Sequence, residues 1–240
     1  MAHDRDHERA HAIAVDAGLL LLRLREEQAP DFDDVDATKA FAKLADRASD
    51  DYILARLREE FPDDAILSEE TEDDFLRLEA NRVWIVDPVD GTWEYSHNRS
   101  DFAVHVALWE RTKGLTAGTV AVPAMGEIWS THTQRTEADH VALPTDRDVR
   151  IVVSRTRPLH DQEQFRLDLA HALAPLGVPG VTILQVGSVG ACCTRSRCGA
   201  GVLLPHRTHP RNALRTSRPV VERRYRHVRE SQYAVTRGRR

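Results

Sequence analysis

Trp84-Ile85-Val86-Asp87-Pro88-Val89-Asp90-Gly91-Thr92 places two carboxylates at the end of an apolar, β-prone run and then turns. Trp, Ile and Val ahead of Asp87 predict a buried strand, while Pro88 and Gly91 predict a loop whose backbone can approach a ligand. Upstream, the short apolar run Ala65-Ile66-Leu67 leads into Ser68-Glu69-Glu70, so a third and a fourth carboxylate also stand at a strand end. Oxygen donors at this density suit Mg²⁺, a hard cation, better than Zn²⁺, which favours nitrogen and sulfur.

Working outward, Ala10, Ile13, Ala14, Ala17, Leu20, Leu21 and Leu24 recur at helical spacing and predict an amphipathic first helix ending among Arg25, Glu26 and Glu27. A second helix is expected over roughly Asp46 to Glu60, with Tyr52, Ile53, Leu54 and Leu57 facing inward, and Phe61-Pro62-Asp63-Asp64 breaks it before the Ala65 strand. Helix then strand would carry Asp46 and Glu69 toward one cleft. Phe102 to Trp109, Leu115 to Val122 and Gly126 to Thr131 read as a meander of successive strands. Val149 to Ser154 reads as a strand, Asp161 to Leu176 as a helix and Val181 to Val186 as a further strand.

Glu69-Glu70 followed by Asp87-Pro88-Val89-Asp90-Gly91-Thr92 resembles the paired signature of the lithium-sensitive, Mg²⁺-dependent sugar phosphatases, the inositol monophosphatase superfamily. Trp93-Glu94-Tyr95 and Asp101-Phe102-Ala103-Val104-His105-Val106-Ala107-Leu108 look more like its 3′(2′),5′-bisphosphate nucleotidase branch than its inositol branch. The resemblance covers most of residues 1 to 190. It implies a layered α/β sugar-phosphatase fold, with an α+β N-terminal half over residues 1–148 and an α/β C-terminal half that starts at 149–190 and is incomplete.

The resemblance also implies a reaction: in-line attack of a metal-activated water on a phosphate monoester, with metal ions stabilising the entering and leaving oxygens. Glu69, Asp87 and the carbonyl of Val89 would hold the first Mg²⁺, Asp87 would bridge, and Asp90 would hold the second. Thr92 and Asp46 match the pair that orients and deprotonates the water, although the family's Thr shortly before this Asp is absent from Lys43-Leu44-Ala45-Asp46. Gly91, Thr92 and Ser188, the last in a Gly-Ser turn, match substrate contacts. The implied substrate is adenosine 3′,5′-bisphosphate, hydrolysed to AMP in sulfur assimilation, with inositol 1-phosphate as the alternative. A homodimer is compatible with this reading.

Beyond Gly190 the character of the chain changes. Residues 1–190 hold 20 Lys and Arg against 36 Asp and Glu, a balance of −16, whereas residues 191–240 hold 13 Arg and 2 Glu, a balance of +11, so the overall −5 hides two unlike parts. The last part carries all three cysteines and lacks periodicity beyond Val202-Leu203-Leu204. The family's Trp-Asp metal ligand should follow, yet Trp84, Trp93, Trp109 and Trp129 precede Ile, Glu, Glu and Ser. With 30 Arg against 3 Lys, pointing to a GC-rich gene, residues 191–240 are read as an out-of-frame or disordered Arg-rich tail. Turnover is accordingly expected to be low, and a truncated pseudoenzyme or basic-tailed polyanion binder is the reading from another class. The tail's arginines lack aromatic interleaving, so nucleic acid is not the expected partner. Adjacent Cys192 and Cys193 lack the gap usual between paired zinc ligands.

No basic-apolar leader and no apolar run of ~20 residues is present, so no membrane partner and a cytoplasmic setting are expected. His7-Glu8-Arg9-Ala10-His11 satisfies H-E-x-x-H, but it opens a helix close to the chain start, with no evident third ligand, and reads as a solvated helix face. His105 reads as a hydrogen-bonded structural histidine and Lys43 as a surface lysine.

Overall fold

The computed structural model describes residues 2–131, 145–155 and 159–188, and the backbone of 201–203. These fall into two compact units, one within residues 1–134 and the other within 135–220.

The first unit packs two long helices on a five-stranded sheet. Helix α1 spans Ala2–Gln28 and α2 spans Val35–Glu60. The strands are β1 (Ala65–Ser68), β2 (Arg82–Asp90), β3 (Ala103–Glu110), β4 (Gly114–Val122) and β5 (Glu127–Ser130), in spatial order β1-β2-β3-β4-β5. β1 and β2 run parallel, and β2 through β5 form the expected antiparallel meander. Strand alternation sorts the side chains: Trp84, Val86, Val104, Val106, Leu108, Ala117 and Ala121 share a buried cluster with Ile13, Ala14, Ala17 and Leu21 of α1 and with Phe41, Ala45, Ile53 and Leu57 of α2. The opposite face carries Asp87 and His105, paired across β2 and β3. Small residues on α1 let it lie close: a Cβ at Gly18 would stand 3.0 Å from Pro123 Cβ.

The second unit is a parallel sheet with order β7-β6-β8, formed by β6 (Val149–Ser154), β7 (Val181–Val186) and β8 (Gly201–Leu203). Helix α4 (Gln162–Leu173), capped by the Asp161 carboxylate accepting from Gln164 N–H, joins β6 to β7 through a short 3₁₀ turn. Val149, Ile151, Val153, Leu173 and Val181 make its core. The α+β and α/β characters expected of the two parts are both seen.

Three boundaries differ from expectation. Helix α2 begins eleven residues before Asp46, because the Asp34 carboxylate accepts from Asp36 and Ala37 N–H and starts it inside an acidic run. β2 continues through Pro88 to Asp90 instead of ending at Asp87; the register shifts between Asp87 and Asp90, and a bulge admits a proline in a strand. Strand order also persists past Val186, since Gly201–Leu203 pairs parallel with β6. Apart from that strand's backbone, the 191–240 tail with Cys192, Cys193 and Cys198 lies outside the described residues.

Candidate active site

The parallel register of β1 and β2 builds the site. Ser68 pairs with Val86 as the last pair, and Glu69 N–H donates to the Val86 carbonyl at 3.3 Å. Glu69 and Asp87 therefore leave adjacent strands side by side at their carboxyl ends, where ligands of such sheets are commonly held. Asp87 is 8% exposed, whereas Glu69 and Glu70 reach solvent. Asp90, one bulge further, meets His105 Nε2 through Oδ2 at 3.0 Å. His105, 6% exposed, is thus the hydrogen-bonded strand histidine expected, and its partner is a site carboxylate.

Gly91 follows in the left-handed region at φ 90°, a conformation that costs little only without a Cβ, and it caps the short helix α3 (Thr92–Ser96). This turn swings Thr92 back toward α2. Its hydroxyl lies 3.2 Å from Asp46 Oδ1 and 3.0 Å from the Val89 carbonyl. Buried between protein and the negative charges of Glu70 and Glu69, the Asp46 carboxyl is pushed up to about 7; the Thr92 hydrogen bond works against that rise. The Glu70 carboxyl, although on an exposed side chain, is also raised, by the protein packed around it and by the charges of Glu69 and Asp50.

The structure thus gathers Asp46, Glu69, Asp87, Val89, Asp90, Gly91 and Thr92 within the first unit, on α2, β1, β2 and α3. Ser188 belongs to the second unit, just past β7, with its side chain 3% exposed. His7 Nδ1 meets the Thr131 hydroxyl, His11 points to solvent, and Lys43 is exposed. Sequence reasoning missed Ser49 and Asp50, which lie on α2 between Asp46 and the core. Ser49 donates to the Pro88 carbonyl at 2.9 Å, and buried Asp50 accepts from Ser68 at 2.5 Å and Thr71 at 2.9 Å. The available signal was a break in a stripe: Phe41, Ala45 and Ile53 are buried at four-residue spacing, and Ser49 is the polar member between them.

All these candidate donors are oxygens, the donor type for Mg²⁺. Among the described residues no three His, Cys, Asp or Glu side chains close into a metal cage. Mg²⁺ characteristically takes one or two carboxylates and keeps several waters, so an open pair such as Glu69 and Asp87 fits its chemistry. No helix of the described residues is long and apolar enough to cross a membrane.

Known proteins resemble this chain in sequence and in fold. A 3′-phosphoadenosine 5′-phosphate phosphatase of Mycobacterium leprae (strain TN) is 40% identical over 184 residues, 72% of this chain and 65% of that protein. A phosphatase of the same name from Mycobacterium bovis (strain ATCC BAA-935 / AF2122/97) is 39% identical over 71% of this chain and 64% of its own length. The chain thus spans just under two thirds of these relatives. CysQ from Bacteroides thetaiotaomicron, described as a bacterial member of the inositol monophosphatase family, superposes with a TM-score of 0.63 at 25% identity, covering 83% of this chain and 79% of that one. Residues 4–173 match the profile of the Inositol monophosphatase family, and the chain belongs to that family.

Proposed function

We propose that the chain is a Mg²⁺-dependent phosphoric monoester hydrolase acting on a 3′(2′),5′-bisphosphate nucleotide, converting adenosine 3′,5′-bisphosphate and water to AMP and inorganic phosphate. The observation that carries this reading is the parallel register ending at Ser68 and Val86, which delivers Glu69 and Asp87 together. The names of the mycobacterial relatives supply the nucleotide.

In this reading Glu69, Asp87 and the Val89 carbonyl would hold Mg²⁺, and Asp90 would hold a second ion. When bound, Mg²⁺ supplies positive charge that acidifies the attacking water and stabilises the leaving oxygen. Thr92 has one hydroxyl proton and two acceptors within reach, Asp46 and the Val89 carbonyl. Donation to Asp46 leaves the Val89 carbonyl available for a cation and a Thr92 lone pair available to orient water. Asp46, whose carboxyl sits near neutrality, accepts the water's proton. Gly91 and Thr92 present backbone N–H groups at the start of α3 to the phosphate. A homodimer and a cytoplasmic setting belong to the same reading.

Phosphate release from adenosine 3′,5′-bisphosphate, compared with inositol 1-phosphate at equal concentration and saturating Mg²⁺, tests the substrate. Faster release from the nucleotide is expected; equal or reversed rates contradict the assignment.

A further inference from the structure

We propose that one turn of α2, Asp46 to Asp50, is the template that fixes the metal-binding carboxylates, with Ser49 and Asp50 as positioning residues. This rests on the Mg²⁺-site reading above and goes beyond it by naming what holds the ligands in place.

Three separate segments are tied to that single turn. Asp46 meets Thr92 at the start of α3. Ser49, fully buried, donates to the carbonyl of Pro88, the residue between Asp87 and Val89. Asp50, 5% exposed, uses its two oxygens on two hydroxyls: Oδ1 accepts from Ser68 and Oδ2 from Thr71. Those hydroxyls bracket Glu69 and Glu70, and the Ser68 oxygen in turn accepts from Glu70 N–H at 3.3 Å.

The register explains why these contacts form. Ser68 is opposite Val86 in a parallel pair and shares its face, and Val86 packs in the cluster with α2, so the Ser68 side chain is directed at the helix. Glu69, one residue on, is directed to the other face with Asp87. Asp50 thus does not face the cation; it pins the residues on either side of the one that does. The pinning has a purpose, because neighbouring carboxylates repel one another when no cation is bound, and a loop free to relax would spread them. Ligands held in advance bind without that reorganisation.

Mn²⁺ affinity of the full chain, read by calorimetry beside the thermal unfolding midpoint, tests the proposal in Thr71→Val, Asp50→Asn, Asp50→Ala, Ser49→Ala and Asp87→Asn. Thr71 is exposed, so Thr71→Val removes one hydroxyl at little risk to the fold. A net hydrogen bond's worth of preorganisation lost predicts Mn²⁺ binding weaker by about five- to tenfold in Thr71→Val and Ser49→Ala. Asp50→Asn, which keeps one acceptor, is expected to bind more tightly than Asp50→Ala. Unchanged affinity in Thr71→Val and Ser49→Ala, with binding abolished in Asp87→Asn, overturns the template and leaves the metal site standing. A wild-type chain without Mn²⁺ affinity, or one whose affinity survives Asp87→Asn, overturns both.

Discussion

The Thr92 hydroxyl stands 3.2 Å from Asp46 Oδ1, joining residues 46 positions apart at the point where α3 turns back on α2. That bond gives Asp46 a defined orientation and gives Thr92 a place to put its only proton. If the pair handles the attacking water, Asp46→Asn and Thr92→Val each lower kcat by roughly 10²-fold or more, the usual contribution of a placed general base. KM should change little. A steady-state comparison with wild type checks both, and Thr92→Ser, which keeps the hydroxyl, should recover most of the rate.

Gly91 is the hinge that makes this bond possible. At φ 90° a Cβ is strained, so Gly91→Ala should cost about 1–2 kcal/mol of stability. It should also slow turnover by displacing Thr92. Urea unfolding gives the first quantity and phosphate release the second; a fully stable, fully active Gly91→Ala would show that the turn is not needed.

Far from the site, Arg82 binds Asp6 at 3.0 Å and Asp64 at 2.9 Å, and Asp64 also accepts from the Trp84 indole N–H. Removing it takes the guanidinium from Asp6, at 5% exposure, and leaves Asp64 with the Trp84 indole N–H. Arg82→Met should destabilise the chain by about 2 kcal/mol, less than a fully buried pair would because the Arg82 side chain keeps 31% exposure. The midpoint of urea unfolding at constant slope reports it.

Tyr95 supplies a pH dependence. Burial pushes its phenol up to about 12, partly opposed by Arg25, whose guanidinium lies 4.6 Å from the ring centre, and the hydroxyl donates to the Leu21 carbonyl at 2.9 Å. The folded chain therefore favours the neutral phenol. The resulting stabilisation is complete below the ordinary value of 10.0 and is lost as pH rises through about 12. Phenolate absorbance should show a component titrating near 12 that vanishes in Tyr95→Phe, while the Tyr52 phenol, also raised by burial and by Asp16, is unaffected by that change.

Much of this was legible in the sequence where pattern and chemistry coincide. Trp84 to Val86 announced β2, Ala65 to Leu67 announced β1, and the carboxylates that follow them marked out the candidate site. The start of α2 was not legible, because its buried apolar stripe opens only at Phe41 and its cap, Asp34, is one aspartate among several. Nor was the strand through Pro88, since proline ordinarily argues against a strand and only the register shift beside it admits one. Ser49 and Asp50 escaped for another reason: their partners, Pro88 and Ser68, are distant in sequence, and only pairing of β1 with β2 brings them to α2.

The central claim is that carboxylates at the ends of β1 and β2 form a Mg²⁺-dependent phosphatase site. Its most direct test is inorganic phosphate release from adenosine 3′,5′-bisphosphate by the full chain, with and without Mg²⁺, beside Glu69→Ala. The release should depend on Mg²⁺ and disappear in Glu69→Ala. Release that persists without Mg²⁺ or in Glu69→Ala, or no release from folded wild-type chain, would contradict the account.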